Sequence, residues 1–170
     1  DLSLLSAEVR LAELDAAKIA SGWGTSQVNR SVANLPLQIS GQGFIDGVGA
    51  HAPSLAIVRL DGKANRFRAL VGINDGGRNE QGSVEFVVFG DDKPLFKSGI
   101  LRGGEAAKPV DVPLTGVKRL KLQVTDAGDG MSSDHADWAE AAISFSGRKP
   151  ELIDPYGQYA PAGLYPPRDK

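Results

Sequence analysis

From about residue 44 onward, apolar residues recur at every second position in short runs broken by Gly, Asp and Pro. In residues 119–124, Leu120, Leu122 and Val124 alternate with Arg119, Lys121 and Gln123, the period of a strand with one wet face. Residues 66–73 do the same, with Phe67, Ala69, Val71 and Ile73 on one side and Arg66 and Arg68 on the other. Residues 84–89 are apolar on both faces, which predicts a central strand covered on each side. Gly90-Asp91-Asp92-Lys93-Pro94 reads as a turn returning into a hairpin partner at 95–98, and Asp61-Gly62-Lys63 as the turn closing a strand at 55–60. Near the end, Ala139, Ala141, Ile143 and Phe145 line an inward face, with Glu140 and Ser144 outward.

About seven strands at this spacing, without a βαβ rhythm, predict an all-β fold, an antiparallel β-sandwich. Twenty-one glycines and ten prolines in 170 residues agree with many turns joining short strands in one domain. The N-terminal segment is ambiguous between helical and strand spacing, and a short strand around 9–14 is expected. Residues 147–170 hold five of the ten prolines and all three tyrosines. That composition sustains no helix or interior strand. The sandwich is therefore expected over residues 1–146. Residues 147–170 then form a linker or a tail whose tyrosines (Tyr156, Tyr159, Tyr165) dock back onto it.

Several function classes fall away. Net charge is −2 and Lys and Arg are scattered, so nucleic acid is not an expected partner. No apolar run approaches the ~18 residues of a membrane span, and no membrane association is expected. Without cysteine there is no thiolate metal site, cysteine nucleophile or disulfide framework. The chain starts at Asp1 rather than Met, which points to a processed or excised piece.

The chemistry concentrates in residues 126–138, where Asp126, Asp129, Asp134 and Asp137 stand with His135 and Trp138 among small residues. A loop this polar faces water, a hard cation or a hydroxyl-rich ligand. Its oxygens suit calcium, but their spacing is not that of a helical calcium-sensor loop. Zinc is disfavoured, since only His51 and His135 are available. Three other segments attract attention: His51 among small residues just before a strand, the polar loop from Asn74 and Asp75 onward, and Trp23 between two glycines. Trp23 reads either as a sugar-stacking platform or as a core plug at a sheet edge. Asp134 and Asp137 are eligible as a glycosidase carboxylate pair, as are many exposed pairs. No nucleophile elbow, phosphate loop or dinucleotide fingerprint is present, so a non-catalytic domain is expected.

Taken in order, Ser21-Gly22-Trp23-Gly24, Gly47-Val48-Gly49-Ala50-His51-Ala52-Pro53-Ser54, Val71-Gly72-Ile73-Asn74-Asp75, Val124-Thr125-Asp126-Ala127-Gly128-Asp129-Gly130 and Asp134-His135-Ala136-Asp137-Trp138-Ala139-Glu140-Ala141 resemble the NPCBM family, carbohydrate-binding module family 51. The resemblance covers about Val9 to Phe145. It implies a galactose-binding-domain-like jelly roll appended to a secreted bacterial glycoside hydrolase, on the cell surface, in the periplasm or outside the cell. The implied partners are a galactose-type glycan and the catalytic domain of that hydrolase.

The resemblance also implies a structural calcium ion, held by Glu140 with Asn29 as its partner and Asp137 as the competing choice. Many members carry an acidic pair where this chain has Asn74-Asp75, which puts any role of that pair in doubt. For sugar binding the expected residues are His51, Asp75, Asp134, His135 and Trp138, with imidazoles and carboxylates on hydroxyls and an indole stacked on a pyranose. The competing expectation is a structural or protein-interaction sandwich of a multidomain glycosidase that does not itself bind sugar.

Overall fold

The computed structural model describes residues 7–76, 82–130 and 132–156. Its strands are β1 (Ala7–Arg10), β2 (Gln27–Val28), β3 (Gln38–Ile39), β4 (Gln42–Gly43), β5 (Gly47–His51), β6 (Ser54–Arg59), β7 (Ala64–Ile73), β8 (Ser83–Gly90), β9 (Lys93–Arg102), β10 (Lys108–Pro113), β11 (Arg119–Thr125), β12 (His135–Phe145) and β13 (Glu151–Ile153). One sheet runs β10-β7-β12-β5-β2, with β1 also on β12; the other runs β13-β6-β11-β8-β9. Every strand pairing is antiparallel, as the alternating pattern predicts. The inward residues of both sheets, among them Phe67, Phe86, Leu120, Leu122 and Ile143, form one core.

The predicted turns form for the reason expected. Asp91 and Asp92 both have positive φ, at 48° and 67°, between Gly90 and its partner Lys93. Two left-handed residues in succession match the twist of a two-residue hairpin. Asp61 and Gly62 are also left-handed, at 53° and 75°, in a tight turn closed by the Lys63 N–H on the Leu60 carbonyl, which carries the chain from one sheet to the other.

Strand β12 departs from plain alternation. Ala136 and Trp138 face the core, and so do Ala141, Ile143 and Phe145. The inward parity changes because the register shifts between Ala139 and Ala142, where Glu140 adopts φ 49°. This bulge supplies the extra residue that lets both apolar sets point inward. It also divides one edge of β12: β5 pairs with residues 135–139 and β1 with residues 142–145. Arg10, at the end of β1, forms an ion pair with Asp46, just before β5, and so joins the two collinear strands.

Two boundaries differ from expectation. The first strand ends at Arg10, and Leu11–Glu13 form a 3-10 turn that buries Leu11. The sandwich runs past residue 146, because Glu151–Ile153 pair with β6 and Leu152 is buried. An edge position tolerates the neighbouring prolines that an interior strand would not. Tyr159 and Tyr165 lie outside the described residues.

Candidate functional site

At one end of the sandwich the turn after Ala20 meets the end of β5 and the start of β12. The His51 N–H donates to Ser21 Oγ (2.9 Å), and that hydroxyl donates to the Trp23 carbonyl (2.7 Å). The Gly22 N–H donates to the His51 carbonyl (2.9 Å). Only glycine fits there, since a Cβ on Gly22 would lie 2.4 Å from the Ala52 carbonyl oxygen. This close seating fixes where Trp23 emerges. Trp23 is 52 % exposed, so it is not a core plug.

His51 and His135 are direct cross-strand partners on β5 and β12. Their rings meet edge to face with centroids 5.1 Å apart. Trp23 stacks on His135 (5.7 Å, 20° between planes) and is tilted against His51 (5.8 Å, 59°). Burial is the main cause that lowers the pKa of both imidazoles. For His51 the hydrogen bond to Ala52 opposes that shift and His135 adds to it. His51 Nδ1 lies 2.6 Å from the Ala52 carbonyl, which can only accept; the proton is therefore on Nδ1, and Nε2 is left as an acceptor. The site combines an exposed aromatic face with neutral ring nitrogens, a chemistry that suits hydroxyls on an otherwise apolar ring.

The remaining sugar-site candidates lie elsewhere. Asp134 is buried, with Oδ1 accepting the Ser83 N–H (2.8 Å) and Oδ2 without a partner among the described residues. Burial pushes its carboxyl up to about 7, helped by Asp129 and Asp126 and opposed by the Ser83 hydrogen bond. Asp75 accepts the N–H groups of Ser40 (2.8 Å) and Gly41 (2.7 Å), tying down the β3–β4 hairpin. Trp138 is only 2 % exposed and packs edge to face on Phe86 (5.0 Å) and Phe67 (6.0 Å). The stacking role expected of Trp138 is therefore closed to it, because the strand parity that makes Ala136 a core residue does the same for Trp138.

The residues expected to hold calcium separate into two places. Asp137 is fully buried and accepts from Asn74 Nδ2 (2.6 Å), which also donates to the Pro36 carbonyl (3.0 Å). Burial pushes its carboxyl up to about 8, against the Asn74 hydrogen bond. Asn29 and Glu140 instead meet around the start of β5. The Asn29 N–H donates to the Gly47 carbonyl (2.8 Å), Asn29 Oδ1 accepts the Gly47 N–H (3.2 Å), and the Glu140 N–H donates to the Asp46 carbonyl (2.9 Å). Asp46 Oδ1 is buried there without a hydrogen-bond partner among the described residues. This donor set is all oxygen, and the unmatched Asp46 oxygen fits a hard divalent cation. Among the described residues no three carboxylate or imidazole side chains gather in one place, so a cation would also need amide or carbonyl oxygens.

Residues 7–144 match the NPCBM/NEW2 domain. The chain belongs to the NPCBM/NEW2 family. As such it is a non-catalytic carbohydrate-binding module with a galactose-binding-like sandwich. This NPCBM domain is 36 % identical over 128 residues to alpha-1,3-galactosidase B of Akkermansia muciniphila, covering 73 % of the chain and 16 % of that enzyme. The chain thus spans less than a fifth of that relative's length. Among solved structures it resembles the CBM51 of Clostridium perfringens GH95 in complex with methyl-galactose, with 30 % identity and a TM-score of 0.74 over 81 % of this chain and 99 % of that one. It also resembles the structure of the M60 catalytic domain with CBM51-1 and CBM51-2 of C. perfringens ZmpB, with 26 % identity and a TM-score of 0.74 over 83 % of this chain and 15 % of that one. These relatives are bacterial. No helix among the described residues is long and apolar enough to cross a membrane.

Two residues at these places in this NPCBM domain were not among the expected site residues: Trp23, which the sequence offered as a platform or a plug, and Asp46. Trp23 carried a signal, a large aromatic set between glycines where no apolar run needs it. Asp46 carried none, because a lone acid before a glycine is ordinary surface.

Proposed function

We propose that this NPCBM domain binds a galactose-containing glycan at the Trp23–His51–His135 rim and thereby holds a secreted bacterial glycoside hydrolase on its substrate. The observation that carries the reading is the half-exposed indole stacked beside two neutral imidazoles. A pyranose offers a CH face to the indole and hydroxyls to the ring nitrogens, with His51 Nε2 accepting one of them. The methyl-galactose complex of the similar CBM51 supports the choice of sugar. Tethering raises the effective concentration of the attached catalytic domain at the glycan. The test is titration with a glycan panel by calorimetry. Saturable galactoside binding that is lost in Trp23→Ala and His51→Ala supports the reading, and a silent panel overturns it in favour of a purely structural domain.

Calcium belongs to the same proposal as a structural ion held by Asp46 Oδ1, Glu140 and the Asn29 segment. When bound, it would supply fixed positive charge between the start of β5 and the β12 bulge. Asp137 lies apart from these residues, in the Asn74–Pro36 hydrogen-bond network.

A further inference from the structure

The outer face of the larger sheet carries a trough of about 370 Å³ that the rim site does not use. It runs along the second half of β12. One rung crosses it as Arg10–Ala142–Arg68–Asp111, and Glu8 of the neighbouring rung also lines it. The small side chain of Ala142 lies on the central strand between the longer Arg10 on β1 and Arg68 on β7, which makes the depression. Leu70 and Pro109 border it on one side, and Glu140 stands at its head. The bulge in β12 is what turns Glu140 outward to that position.

The hydrogen-bonding groups of the trough are not all committed. Arg10 is engaged by Asp46, and Asp111 by Arg66. Among the described residues, Glu8 and Arg68 make no ion pair. An uncommitted guanidinium and carboxylate across one groove present paired donors and paired acceptors, the complement of vicinal hydroxyls. Both signs of charge line the trough, so no single-sign field favours a polyanion. None of the large exposed apolar side chains of the described residues, such as Trp23, Ile45 or Ile100, lies in it, so the greasy anchor that a protein partner would grip is missing. Pro109 and Leu70 offer a modest apolar flank of the kind a sugar ring covers.

We infer that this trough is a second glycan subsite, taking an uncharged, hydroxyl-rich oligosaccharide segment along β12, with Arg68 and Glu8 as its principal hydrogen-bonding residues. The inference rests on the reading of the domain as a glycan binder. It does not rest on the rim, and the sites are separable by mutation.

The experiment is a ¹H–¹⁵N NMR titration of the domain and of its Trp23→Ala variant with linear galacto-tetraose, with methyl galactoside as the short control. The expected result is saturable amide shifts at Arg68, Leu70 and Ala142 that persist in Trp23→Ala and weaken at least ten-fold in Arg68→Ala. Rim shifts should change less than two-fold in Arg68→Ala, and Arg68→Lys, which keeps the charge but not the fork, should also weaken the trough. Arg68 is exposed and makes no ion pair among the described residues, so its variants should fold, which the rest of each spectrum reports directly. Shifts confined to His51, His135 and their neighbours, and absent from Trp23→Ala, would overturn the second subsite while leaving the rim reading intact. Absence of shifts anywhere would remove both.

Discussion

The indole of Trp23 lies over the imidazole of His135, with centroids 5.7 Å apart and planes 20° from parallel. The two residues are far apart in sequence, and the Ser21–Gly22 turn brings them together by bonding to His51 of β5, with the Ser21 hydroxyl also holding the Trp23 carbonyl. One indole and two imidazoles thus share a rim whose geometry is set by the hydrogen bonds of the Ser21 hydroxyl and the Gly22 N–H.

The two tryptophans should separate function from stability. Trp23→Ala removes a half-exposed side chain and should change unfolding free energy by no more than about 0.5 kcal/mol while weakening galactoside binding at least ten-fold. Trp138→Ala empties a core site between Phe67 and Phe86 and should cost about 3–5 kcal/mol. Denaturant melts and calorimetry on both variants check this.

Gly22→Ala should disturb the rim through the backbone. The added Cβ meets the Ala52 carbonyl oxygen at 2.4 Å, so the turn must move. Overpacking of this kind costs about 1–3 kcal/mol. Because the turn carries Trp23, binding should fall along with stability, unlike in Trp23→Ala, where only binding falls.

Stability should fall as pH rises out of the acid range. Asp134 is pushed up to about 7 and Asp137 to about 8, both mainly by burial, against the ordinary 3.8. The native state therefore holds these protons where the unfolded chain releases them. Each contribution is fully present below about pH 4 and is lost as pH rises to the folded value, at up to about 1.4 kcal/mol per pH unit for each proton. The histidines act in the opposite sense, since their lowered values make stability fall as pH drops below 6.5. Urea melts from pH 4 to 8 should show a flatter carboxylate limb in Asp134→Asn than in the parent.

Calcium should raise the melting temperature if Asp46 and Glu140 hold it. Saturation a hundred-fold above Kd corresponds to about 2.7 kcal/mol. Asp46→Asn and Glu140→Gln should each reduce the calcium-dependent rise, whereas Asp137→Asn should leave it in place. A melting temperature indifferent to both calcium and chelator would count against the ion.

The strands legible in the sequence were those with one wet face, such as β7 and β11, because burying one face imposes a period of two. Strand β5 was not legible as a strand. All five of its residues are buried, and Gly47 and Gly49 lie where a Cβ would strike Trp138 and Arg30 backbone oxygens at 2.4 Å. Packing by backbone leaves no alternation to read. Strand β10 was hidden by Pro109 and Pro113, which an edge strand accommodates. His51 and His135 stood out in the sequence among small neighbours, and the structure brings their rings together across β5 and β12. Trp138 was misplaced because the bulge at Glu140 changes the inward parity, and a count back from Ile143 sets Trp138 on the wrong face.

The most direct test of the central claim uses Trp23 as the sole indole. In a Trp138→Phe variant titrated with methyl galactoside, the account predicts a saturable change in fluorescence, protection of the indole from iodide quenching, and loss of the saturable change when His51→Ala is added. Unchanged emission and quenching across the glycan panel, in a variant that remains folded, would contradict it.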